Sequence, residues 1–160
     1  MRKFGLFVHI ISSVGWLGAV VCFLVLAIAG RANPDAHIVA AAYLAMDLIA
    51  QFVIVPFALA SLLTGLVQSL WTPWGLLQHY WVLAKLVLTV VATVVLLLQL
   101  KHIHGIAGAA TAGTVPEHLA WPRTDLVLHA AGGLVVLLVT STLAVYKPRG
   151  VVPHHARNVL

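Results

Sequence analysis

An all-α membrane protein, a four-helix transmembrane bundle running up-down-up-down, is the fold class this sequence predicts. Three observations predict it. Four apolar stretches, roughly residues 4–29, 38–70, 76–100 and 126–146, take up nearly all of the 160 residues. At about 1.5 Å of rise per residue, each covers the ~30 Å hydrocarbon core of a bilayer. The composition is 62% hydrophobic and 8% charged, with a mean hydropathy of +1.05, which excludes an ordinary soluble domain. Finally, the positive residues gather at the two chain ends, Arg2 and Lys3 at one and Lys147, Arg149 and Arg157 at the other. The positive-inside rule then puts both termini in the cytoplasm of a plasma membrane, and an even number of spans agrees with it.

The first stretch resembles a signal peptide in having Arg2 and Lys3 before an apolar run. The run exceeds the ~7–15 residues of a secretory core, so it reads as the first span. The second span, 38–70, is too long to stand straight in a bilayer, and Pro56 within it predicts a kink. Trp71-Thr72-Pro73-Trp74-Gly75 reads as a tight turn. Around that turn and the chain ends lie Phe4, Phe7, Trp71, Trp74, Tyr80, Trp81 and Tyr146, an aromatic belt at the cytoplasmic interface. The third connection, about 105–122, is the only long one; its start, Gly105-Ile106-Ala107-Gly108-Ala109-Ala110, reads as a flexible exit. Residues 1–146 form a single four-span domain, and 147–160 a disordered cytoplasmic tail.

The formal charge of +5 does not imply nucleic acid, because the basic residues flank apolar segments, where they orient spans and meet headgroups. The expected partner is the lipid bilayer, with a homo-oligomer or a larger membrane complex around it. Cys22 is the single cysteine and has no intrachain partner. No nucleophile elbow, phosphate loop or HExxH motif is present, so nothing points to an enzyme. Gly15-Trp16-Leu17-Gly18 lies inside a span and reads as a packing element.

Each span carries polar residues at helical spacing. They are His9, Ser12, Ser13 and Trp16 in the first; Tyr43, Asp47, Gln51, Ser61, Thr64 and Gln68 in the second. The third has Lys85, Thr89, Thr93 and Gln99, and the fourth Asp125, His129, Gly132 and Thr140. In lipid such stripes turn inward, since a charge facing hydrocarbon costs at least ~2.5–3.5 kcal/mol. Counting from the turns brings Asp47, Gln99 and His129 to one level in the outer half, with Tyr43, Lys101 and His102 about a turn away. His9 falls level with Ala58, and with Lys85 belongs to the inner half near Ser12, Ser13 and Ser141. Asp47 is the most expensive residue in the chain, and an intramembrane carboxylate is a functional-site candidate by default. Its structural alternative is an ion pair to Lys101 or a hydrogen bond to Gln99 or His129. Lys85 is a candidate too, with snorkelling toward the cytoplasmic face as its alternative.

Nine histidines is a high count, and imidazole serves both transition metals and haem. His102 and His129, level by counting and on different helices, are the expected axial pair for haem b or ligands for a transition metal. His9 is the next ligand candidate, and Asp47 a direct or supporting partner. The function expected first is a haem- or metal-binding module for electron transfer or metal handling. The alternatives are a small proton- or ion-coupled carrier using Asp47 and Lys85, and a non-catalytic subunit of a larger complex.

The run from His9 through Ser12, Ser13, Gly15, Trp16 and Gly18 to Ala19 resembles the opening of a group of small bacterial four-span membrane proteins of unknown function. Ala60-Ser61-Leu62-Leu63-Thr64-Gly65, and Trp74-Gly75 followed by His79-Tyr80-Trp81 and Lys85, are similar to that group as well. This resemblance covers essentially the whole chain and implies a compact bundle in an actinobacterium-like plasma membrane. His9, Trp16 and Gly18 also resemble the first span of copper-resistance D membrane domains. Met1 and Met46 are the only methionines, so that family's methionine-rich copper motifs are absent.

Overall fold

The computed structural model describes residues 2–71, 79–112 and 120–148. The structure is all-helical: α1 (Arg2–Ala32), α2 (Ala36–Ile49), a π-helical turn (Ala50–Ile54), α3 (Val55–Trp71), α4 (Tyr80–Thr111) and α5 (Ala120–Tyr146). The segment from α2 through α3 is one continuous span, so among the described residues four helices are long and apolar enough to cross a membrane. Trp74, the tight turn, His118 and residues 149–160 of the tail lie outside the described residues.

Local chemistry accounts for the ends. Asn33-Pro34-Asp35 breaks the chain between α1 and α2. Asn33 Oδ1 accepts from the Asp35 N–H at 2.9 Å, and Asp35 caps α2 by accepting from the His37 N–H at 2.8 Å. At the close of α5, Lys147 takes a left-handed φ of 42° and its N–H reaches the Leu143 carbonyl at 3.2 Å, ahead of Pro148.

Pro56 has the effect its chemistry demands, in a form other than a simple break. Its ring excludes the carbonyl four residues earlier, and it has no N–H to donate. The helix widens just before it, where the Val55 N–H bonds the Ala50 carbonyl five residues back. The span continues without interruption, and the π turn begins three residues after Asp47.

The helices pack as a ring. α1 lies against α2–α3 and α5, and α4 closes the bundle against the same two, with α1 and α4 on a diagonal. The core runs through Trp16, Val20, Phe23, Ala27, Met46, Ala50, Ile54, Ala58, Ile103, Ile106, Ala107, Leu126 and Leu137. Ala27, Ala50 and Ala58 are wholly inaccessible, and such small residues let membrane helices approach closely. The outer surface is apolar, with Phe4, Phe52, Leu63, Val87, Leu98 and Val135 all exposed. That inverted surface is what a lipid solvent requires.

One antiparallel register joins α1 to α2–α3 from end to end. His9 meets Thr64, Ser13 meets Ser61, Gly15 faces Phe57 and Gly30 faces Tyr43. Counting from the first turn expects His9 opposite Ala58, about a turn and a half short of Thr64. Side chains lean toward the N-terminus of their own helix, so on antiparallel neighbours the residues that touch are offset from those that are level.

The two glycines of this seam respond differently to a methyl group. A Cβ on either would sit 3.0 Å from an aromatic ring. Phe57 is half-buried and can give way, whereas Tyr43 is 1% exposed. Gly15→Ala should be near neutral, because a helical Gly→Ala change recovers up to about 1 kcal/mol. Gly30→Ala should instead be destabilising by about 1–2 kcal/mol from overpacking. Thermal unfolding of the two variants in detergent checks the difference.

Candidate functional site

The polar side chains form two layers, one near each end of the bundle, with an apolar waist between. The far-end layer lies beside the first and third connections; the terminal layer lies beside the start of α1 and the end of α5. Trp16, expected among the polar interior residues, is buried in the waist with Ile54 and Ala58.

Asp47 anchors the far-end layer. It is 7% exposed, and both carboxylate oxygens are engaged. Oδ1 accepts from Gln51 Nε2 at 2.7 Å, one helical turn on. Oδ2 lies 3.0 Å from Nδ1 of His104 on α4, whose side chain is 76% exposed. This contact accommodates two protonation states. An ionised Asp47 accepts from Nδ1–H, and a protonated Asp47 donates to a bare Nδ1. A buried carboxyl and an exposed imidazole are therefore joined by one hydrogen bond.

Two further groups complete the layer. Arg123 of α5 donates from Nε to the Tyr43 hydroxyl at 2.9 Å and from Nη2 to the Gly30 carbonyl. Its guanidinium carbon stands 5.5 Å from the Tyr43 ring centroid. Beside it, Arg31 Nε donates to Thr124 at 3.0 Å. Asp125 accepts from Gln99 Nε2 at 3.0 Å and lies 3.1 Å from His129 Nδ1, which is also 2.9 Å from the Asp125 carbonyl. Gln99 Oε1 is buried and has no partner among the described residues.

The expected constellation is thus redistributed. Asp47 meets neither Gln99, His129 nor Lys101; Tyr43 belongs to Arg123, and Gln99 and His129 belong to Asp125. The level match of His102 and His129 does not hold. The Gln99–Asp125 bond fixes the α4–α5 register, placing His102 about a turn toward the far end and His129 about a turn toward the terminal end. They are separated by about 10 Å in depth. Both are exposed. No group of three or more His, Cys, Asp or Glu that could hold a metal ion occurs among the described residues.

The terminal layer contains His9, Ser13, Ser61, Thr64, Gln68 and Lys85, with Ser12 and Thr140 buried nearby; Thr93 lies in the waist, its hydroxyl donating to the Thr89 carbonyl. Ser13 and Ser61 hydroxyls are 2.8 Å apart, and His9 Nδ1 is 3.0 Å from Thr64 Oγ1. The Thr64 hydroxyl donates back to the Ala60 carbonyl, so it accepts from His9 Nδ1–H. A neutral His9 therefore keeps its proton on Nδ1 and presents Nε2 as an acceptor.

His104 and Arg123 are site residues that the sequence reading did not single out; they flank the connection expected at about 105–122. A signal for them exists. Ile103, Ile106, Ala107 and Ala110 are buried at helical spacing, which continues α4 past Gly105 to Thr111 and carries His104 on it. At the other side of the connection, Pro122 sits in the first turn of α5, a position proline tolerates, so Arg123 and Asp125 are helical.

No family model matches the chain, and no curated protein or solved structure matches it either. Neither resemblance, to small four-span bacterial proteins or to copper-resistance D domains, is confirmed by a family match, and the chain stands as a small multi-pass membrane protein built on a four-helix bundle.

Proposed function

We propose that this chain is a small proton-coupled carrier of a bacterial plasma membrane, with Asp47 as the charge that switches and His104 as its proton exchanger. The observation that carries this reading is the Asp47–His104 hydrogen bond at 3.0 Å, which links a buried carboxyl to an exposed imidazole. Intramembrane carboxyls in contact with histidine are the usual parts of proton relays. The π turn at Ala50–Ile54 adds support, since such turns mark places where a helix readily changes its hydrogen bonding. With the positive chain ends cytoplasmic, His104 faces outward. Asp47 and Ser61 lie about 21 Å apart along their span, with the apolar waist between them, so passage requires the waist to open. One four-span unit offers little room for that, and a homo-oligomer or a larger complex would supply the second wall.

The haem b or transition-metal reading, with His102, His129 and His9 as ligands and Asp47 as partner, draws on the acceptor Nε2 of His9 and the histidine count. It requires a coloured or metal-loaded purified protein, which the carrier reading does not. The test of the carrier is an imposed pH gradient in proteoliposomes, followed with an internal pH dye under a panel of small cations and organic acids. The wild type should discharge the gradient faster than protein-free vesicles in the presence of its solute. Vesicles that hold the gradient equally long under every solute would remove the reading.

A further inference from the structure

The terminal layer is built of donors and cations with no acid beside them. All four acidic side chains, Asp35, Asp47, Glu117 and Asp125, belong in sequence to the far-end half of the spans or its connections. Among the described residues no carboxylate lies within ion-pair distance of Lys85. Its electrostatic neighbours are His9 and Lys147, both of the same sign when charged.

The packing brings the donors together. Counting equally back along α4 and forward along α2–α3 from the Asp47–His104 contact brings Lys85 opposite Leu66. That position adjoins Gly65, where a Cβ would lie 3.2 Å from His9 Cε1. Gln68 is half a turn further on the same helix. Its Nε2 is buried and has no hydrogen-bond partner among the described residues. A buried donor is costly to leave without an acceptor. Lys85 is half-buried, while Ala84 and Val87 beside it on α4 are exposed, so this level adjoins the bilayer.

We propose that the terminal layer binds a phosphate-type anion, the headgroup of an anionic phospholipid entering along α4. Lys85 is its cation, Gln68 Nε2 a hydrogen-bond donor, and His9 a second donor when its Nε2 is protonated. The anion supplies the negative charge that this end of the protein lacks. Snorkelling alone would take Lys85 to the headgroup region, but it would leave the Gln68 amide without a partner. The site stands apart from the Asp47–His104 pair and does not depend on proton coupling.

The test uses the purified full chain in neutral detergent, with thermal unfolding and native mass spectrometry as readouts. The probes are dioleoylphosphatidylglycerol, dioleoylphosphatidylcholine and inorganic phosphate. Phosphatidylglycerol should bind the wild type at least about tenfold more tightly than phosphatidylcholine, the scale of one charge-assisted hydrogen bond. Lys85→Gln should erase that preference, Lys85→Arg should keep it, and Gln68→Leu should weaken it. If inorganic phosphate gives the same Lys85-dependent stabilisation and the lipid gives no more, the anion is a free phosphate-type solute. A wild type indifferent to both phosphatidylglycerol and phosphate overturns the site, whether or not any variant folds. A preference for phosphatidylglycerol that survives Lys85→Gln overturns it as well.

Discussion

Arg123→Ala should lower the stability of the bundle by about 3 kcal/mol, the largest loss expected from any single truncation at the far end. Arg123 joins three helices at one point: the Gly30 carbonyl of α1, the Tyr43 hydroxyl of α2 and its own α5. Tyr43 is 1% exposed with Arg123 in place, so truncation uncovers its ring and strips its hydroxyl of its partner. Each buried group left without a partner costs about 1–3 kcal/mol. The cation stacked on the Tyr43 ring adds about 0.5–2 kcal/mol. Arg123→Lys retains the charge but loses the planar fork that reaches both acceptors, so it should recover less than half of the loss. Tyr43→Phe removes one acceptor together with its own desolvation cost and should cost about 1 kcal/mol. The effects of Tyr43→Phe and Arg123→Ala should be sub-additive, because they share one bond. Denaturation midpoints of the two single variants and the double variant measure this directly. An Arg123→Ala variant as stable as the wild type would mean that the clamp is solvated and that Tyr43 is held by packing alone.

The fold was legible from the sequence because its determinant is long-range composition: runs of apolar residues long enough to span, interrupted by Pro, Gly and charge. The partners of Asp47 were not, because they depend on register to within a turn. The third span was expected to start at Leu76, and α4 begins at Tyr80. That shift, with the lean of the side chains, places His104 rather than Gln99 against Asp47. The glycines and alanines after Gly105 favour a flexible exit by composition, whereas the buried spacing of Ile103, Ile106, Ala107 and Ala110 favours helix. The burial pattern wins, since packing against α2 and α5 repays the low propensity of glycine. Asp47 itself needed no register. An isolated carboxylate within an apolar span is visible in any frame, and so is the absence of acids around Lys85.

If Asp47 and His104 carry protons as proposed, substitutions at the two should fail in different ways. Asp47→Asn keeps an amide that can bond both Gln51 and His104, so the protein should fold and melt as the wild type does. It has no proton to release, and gradient-driven proton movement should fall by at least about 100-fold, the scale of a positioned proton-transfer group. His104→Gln retains an N–H donor for Asp47 Oδ2 but cannot exchange protons near neutral pH as an imidazole does. Asp47 then remains competent, and only its connection to the water is broken. Because the His104 side chain is 76% exposed, a small buffer molecule can reach the position it vacates. Added imidazole should therefore restore much of the rate in His104→Gln and none of it in Asp47→Asn. A purely structural His104 would show no such rescue, since a free base in solution cannot replace a packing contact. Proton movement that persists in Asp47→Asn would take the switch away from Asp47, and a His104→Gln variant with the wild-type rate at every pH would leave Asp47 exchanging protons by another route.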